Sequence, residues 1–166
     1  MRTWSEAFLL QAASDLEVFE FLEKSRLPSC HRLHYLQMWL EKLCKAYLWM
    51  PSGDSGELRL SHNVIRKILP RLIEEEWRRI ELKRRPDLRS LSLLCREIDL
   101  LHPQIDDEAR RPDNVEYPWS DSAGPVEVPS GWKFPVTDKL YTTTGRLLLK
   151  AATQLTRNPF PTYPRK

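Results

Sequence analysis

Two residues suited to phosphate chemistry sit six positions apart in the stretch CREIDLLHP: Arg96 and His102, with Pro103 immediately after. Histidine moves protons near neutral pH because its ordinary pKa is about 6.5. Arginine carries a permanent charge on a planar fork that can stabilise a crowded phosphate. On a regular helix, residues six apart point about 120° away from each other, so both face one phosphate only if the chain unwinds before Pro103. His102 also suits the C-terminal end of a helix, where a cation meets the negative end of the dipole. The pair is therefore either a phosphate-handling couple or a helix terminus.

Other constellations are weaker. A second arginine–histidine pair, Arg26 to His31 in RLPSCH, crosses a loop containing Pro28. Cys30, His31 and His34 have metal-ligand types, but no convincing fourth ligand follows in sequence, so no metal and no other cofactor is expected. A glycine-rich phosphate loop, a GxSxG elbow and an HExxH helix are all missing. The clearest basic cluster is Arg78, Arg79, Lys83, Arg84, Arg85 and Arg89, with Trp77 beside it. It reads as a nucleic-acid or nucleotide surface with Trp77 available for stacking, or as a solvated helix face. Glu74, Glu75 and Glu76 directly upstream oppose the first reading.

The elements that must position these residues belong to one domain, because 166 residues suit a single hydrophobic core. The chain is 41% hydrophobic and 30% charged, too apolar for a disordered protein. No apolar run approaches the roughly 20 residues of a membrane span. The stretch MRTWSEAFLLQAASDLEVF places Glu6 and Asp15 among its apolar residues instead of building a signal-peptide core, so cytoplasmic residence is expected. Three cysteines, Cys30, Cys44 and Cys95, lack a CxxC spacing and read as reduced core thiols. A net charge of +3 is too small to announce nucleic-acid binding.

Hydrophobic periodicity predicts an all-α, antiparallel up-and-down bundle of about five helices with a long proline-rich loop before the last. Helix one spans Trp4 to about Lys24. Helix two follows Pro28 and ends near Pro51, carrying Leu33, Leu36, Leu40, Leu43 and Tyr47 on one face. Ser61 is the expected N-cap of helix three, which Pro70 interrupts or kinks. Pro86 fits the first position of helix four, whose face is Leu91, Leu94, Cys95, Ile98 and Leu101. Residues 104–136 contain four prolines before Pro135 together with Tyr117, Trp119, Trp132 and Phe134, which predicts an aromatic strap packed on the bundle. Helix five is expected from about Asp138 to Arg157, and residues 158–166 form a proline-rich tail. Phe21, Trp39, Trp49 and Leu93 fall off the main apolar stripes and predict self-association, with a C2 homodimer as the default.

Three stretches, AASDLEVFEFLEKS, LQMWLEKLCKAYLW and LSHNVIRKILPRL, together resemble the HEPN family of helical-bundle domains. The resembling marks are Ala13 with Asp15 and Leu16, then Glu41-Lys42 followed by Lys45-Ala46, then Ser61-His62. They cover about the first half of the chain, and PDNVEYPW is similar to the tyrosine–proline segment that precedes the last helix in one branch of the family. Each mark also has a plain structural reading. Glu41 and Lys45 have the spacing of an exposed i,i+4 ion pair, His62 can support a helix start, and Asp15 is either a solvated residue or a polar anchor.

The resemblance implies two functions. One is a non-catalytic module binding a nucleotide, RNA or a partner protein, paired with a nucleotidyltransferase. The other is a metal-independent endoribonuclease of toxin or defence type, in which Arg96 and His102 meet their counterparts across a homodimer. Catalytic family members follow the arginine with a neutral polar residue or an aspartate, whereas Glu97 stands here. The first function is therefore the expectation.

Overall fold

The structure is a computed structural model that describes residues 1–52, 61–79, 87–104, 113–120 and 124–159. The chain is an all-α bundle, and among the described residues it has six α-helices and one short 3₁₀ turn. Helix α1 (Trp4–Glu23) starts with a reciprocal cap: Thr3 Oγ1 accepts the Glu6 N–H, and the Glu6 carboxylate accepts the Thr3 N–H. Its buried stripe of Ala12, Leu16, Phe19 and Leu22 packs on α2 (Ser29–Ser52). The two run antiparallel, since Asp15 meets Lys42 while Phe19 meets Trp39. Asp15 is thus a buried anchor, bonded to Lys42 and Gln11, and not a solvated residue.

Trp39 is fully buried, which corrects its assignment to a free apolar surface. Its ring lies 5.7 Å from that of Phe19, and its Nε1–H donates to Thr156 Oγ1 at 2.9 Å. Phe21 and Leu93 do remain on the surface, 69% and 52% exposed. The Trp49 side chain lies outside the described residues.

Helix α3 (Ile65–Arg79) continues through Pro70. Pro70 stands in the second turn, where its missing N–H forfeits a single helical bond. Helix α4 (Leu88–Asp99) begins two residues after Pro86, the first helical position expected from the sequence, because Asp87 caps it by accepting the Arg89 N–H. Pro86 itself lies outside the described residues. The buried face of α4 is the one its spacing predicts: Leu91, Leu94, Cys95 and Ile98.

The last helix is two helices, α5 (Pro135–Leu140) and α6 (Thr143–Arg157). The break follows from the threonine run at 142–144. Thr142 Oγ1 accepts the Gly145 N–H at 3.2 Å and donates to Lys139 O at 2.7 Å, so its side chain competes with the helical backbone and caps a new start. Gly145 lets α6 press on the end of α5, since a Cβ there would stand 2.3 Å from Lys139 O and 2.5 Å from Leu140 Cα.

The described parts of the strap dock on the bundle. Trp119 and Glu127 exchange both backbone hydrogen bonds, at 3.1 and 2.7 Å. The Trp119 ring packs edge-on to Trp132 and near Phe134, which is fully buried. Val115 N–H donates to Leu101 O, tying the strap to the end of α4. Residues 105–112, 121–123 and most of the tail, 160–166, lie outside the described residues. Among the described residues, no helix is long and apolar enough to cross a membrane.

Candidate functional site

The bundle has a polar centre on α2. Gln37, Glu41 and Lys45 stand at successive turns of one helix face, and all three are buried. Lys45 Nζ donates to Glu41 Oε1 at 2.6 Å, and Gln37 Nε2 donates to Glu41 Oε2 at 2.8 Å. The i,i+4 pair read from the sequence is therefore present, but it is inside: Glu41 and Lys45 are each 6% exposed. Burial changes its energetics. An exposed pair contributes a few tenths of a kcal/mol, whereas removing one member of a buried pair costs roughly 3–5 kcal/mol because the other charge is left alone.

His62 reaches this centre from the segment leading into α3. Ser61 does not cap that helix, since its hydroxyl is engaged with Asn63 Oδ1. The cap comes instead from Asp99 at the end of α4, whose carboxylate accepts the first N–H groups of α3, Ile65 at 3.2 Å and Arg66 at 3.1 Å. Asp99 is fully buried, with Arg66 Nε 3.6 Å away. Burial pushes its carboxyl up to about 7, against the lowering effect of the Arg66 and Ile65 N–H groups and the Arg66 charge. This cap joins the start of α3 to the end of α4, and so carries His62 to His102.

The chain does unwind before Pro103. Helix α4 ends at Asp99, and the tighter bonds Leu101 N to Ile98 O and His102 N to Asp99 O turn it off its axis. His102 then stacks on His62, with ring centroids 4.1 Å apart and planes 16° from parallel. Its Nδ1 accepts the Gln104 N–H at 3.2 Å. Partial burial holds the His102 pKa below its ordinary value, and His62 pushes the same way, while Glu41 and Glu116 oppose both. His62 Nδ1 lies 3.4 Å from Glu41 Oε1 but makes no hydrogen bond, and the atom is shielded from solvent. One donor atom from each of Glu41, His62 and His102 falls within 4.8 Å of the other two.

The structure thus gives His102 His62 and Glu41 as neighbours, and Arg96 stands on the exposed side of α4. The strongest charges acting on His102 are those of His62, Glu41, Glu116 and Lys45. Arg78 pairs with Glu74 of its own helix at 2.6 Å, and Arg79 donates two bonds to buried Glu76, both at 2.8 Å, and a third to Asn158 O at 3.3 Å. Arg89 is exposed. Lys83, Arg84 and Arg85 lie outside the described residues. Trp77 is buried in the core, so it offers no face for a base. Cys30, His31 and His34 are not gathered: among the described residues, the group of metal-ligand types close enough to share an ion is Glu41, His62 and His102. Burial pushes the Cys44 and Cys95 thiols up, which suits inert core residues.

Asp99 and the His62–His102 stack went unread in the sequence. Neither has a local signal, because each depends on residues more than thirty positions apart. Comparison of the chain with family models, curated proteins and solved structures finds no match.

Proposed function

We propose that this chain is an HEPN-like helical module that binds a nucleotide or RNA at the Glu41–Lys45–His62–His102 cluster without cleaving it. It acts in the cytoplasm as a homodimer, alongside a nucleotidyltransferase as the resemblance implies. The observation that carries the reading is convergence. Glu41, Lys45 and His62 carry the resemblance in two separate stretches of sequence, His102 comes from a third, and all four meet at one polar point in an apolar bundle. The partly exposed imidazoles of His62 and His102 can stack on a base, which is chemistry by which single-stranded RNA is held.

The test is fluorescence anisotropy with a labelled single-stranded RNA and with labelled ATP, run in chelator. Wild type should bind one of them and leave the RNA intact. His62→Ala and His102→Ala should each weaken binding by about tenfold or more, the loss of one stacking contact. Unchanged affinity in both variants refutes the reading. A second reading, metal-independent RNA cleavage, is favoured by one observation: Arg96 is exposed and His102 partly exposed near the same end of α4. Cleavage in chelator that disappears in both Arg96→Ala and His102→Ala would establish it, with losses of at least about 10²-fold.

A further inference from the structure

We propose that Glu41, His62 and His102 form a binding site for a zinc-like divalent transition-metal ion, and that Lys45 holds the cation position in the metal-free protein. The donors come from three elements: the middle of α2, the lead into α3 and the turn after α4. Two imidazole nitrogens and one carboxylate oxygen, leaving a fourth position to water, are a donor set that suits zinc. Their mutual separations of up to 4.8 Å exceed the roughly 3.3 Å between donors about 2.0–2.1 Å from a tetrahedral ion. Side-chain rotation closes that gap, because the donors sit on rotatable side chains and not on the backbone.

Two features point to a ligand beyond the residue types. His62 Nδ1 is shielded from solvent, lies 3.4 Å from Glu41 Oε1 and has no hydrogen-bond partner. A buried imidazole nitrogen without a partner costs free energy that a bound cation would recover. The second feature is Lys45, whose ammonium lies 2.6 Å from Glu41 Oε1. A positive charge is thus already held against one of the three donors, inside the bundle.

The proposal makes two demands on neighbouring groups. A metal at Glu41 competes directly with the Lys45 ammonium, so Lys45 must leave Oε1 when the ion enters. The Gln104 N–H bond to His102 Nδ1 must break, whichever ring nitrogen binds. A metal on Nδ1 takes the lone pair that accepts this bond, and a metal on Nε2 of a neutral imidazole places the proton on Nδ1.

The experiment titrates cobalt(II), then zinc as competitor, into metal-free protein without RNA, so its outcome is independent of the nucleotide-binding reading. The visible absorption of four-coordinate cobalt should saturate at one ion per chain, with a dissociation constant below about 100 µM. His62→Ala should weaken binding by more than about tenfold, as should His102→Ala, each checked for intact helicity. His62 carries the decisive variant because its side chain is 36% exposed, against 8% for Glu41, and so contributes less to packing. Lys45→Met should tighten binding, and the Gln104 amide resonance should move on loading zinc. No saturation by wild type or Lys45→Met, or equal affinity in wild type and His62→Ala, would overturn the proposal.

Discussion

Replacing Asp99 with asparagine tests the cap on which the site depends. Burial raises the Asp99 pKa from 3.8 to about 7. Between those values the folded chain holds a proton that the unfolded chain has released, so folding stability falls as pH rises through that window. The cost is fully absent below about pH 4 and reaches about 4 kcal/mol by pH 8, at 1.36 kcal/mol per pKa unit. The carboxamide of the variant has no proton to lose. It keeps one acceptor for the Ile65 and Arg66 N–H groups but turns its amide donors toward the other, which costs about 1–3 kcal/mol. Asp99→Asn should therefore be less stable than wild type at pH 4 and equal or superior at pH 8, the difference swinging by about 4 kcal/mol in its favour. Arg66, Glu41, Cys44 and Cys95 also face Asp99, and the comparison removes the part of their pH response that does not depend on the Asp99 charge. Urea unfolding of both proteins at the two pH values supplies the measurement. A constant difference, or a variant that falls further behind as pH rises, would mean that the two N–H bonds outweigh burial and hold the carboxylate ionised.

Gly145→Ala places a Cβ 2.3 Å from Lys139 O, and should destabilise by about 3 kcal/mol because the obstacle is backbone; an unchanged melting temperature would count against the tight α5–α6 corner. Trp39→Phe and Thr156→Val should show a coupling of about 1 kcal/mol in a double-mutant cycle, the worth of their hydrogen bond, and additivity would refute it. The Trp119 and Glu127 amides should exchange slowly in deuterium, and Phe134→Ala should cost about 3–5 kcal/mol and speed that exchange. Unprotected exchange of both amides in wild type would show that the strap is not docked.

Helices were legible because a buried stripe repeats every three or four residues whatever it packs against. Leu91, Leu94, Cys95 and Ile98 announced the inner face of α4. Element ends were less legible. The periodic pattern runs across Tyr141 and Thr142, while the break is set by a side chain that bonds its own backbone and by the close approach that Gly145 allows. Trp39 and Trp77 looked available for other partners because stripe width cannot be read from one helix. Both are buried once the neighbouring helices close around them.

The candidate site divides in the same way. The sequence by itself determined that the chain is helical, that Glu41 and Lys45 stand one turn apart, and that His102 lies where α4 must stop. These follow from the helical period and from the missing donor of Pro103. Only the tertiary structure decided that the Glu41–Lys45 pair is buried, that Asp99 caps a helix beginning thirty-four residues earlier in the chain, and that His62 stacks on His102. A cap or a ring stack needs donor and acceptor within a few ångströms, and that proximity is created by packing α3 against α4, not by any spacing along the chain.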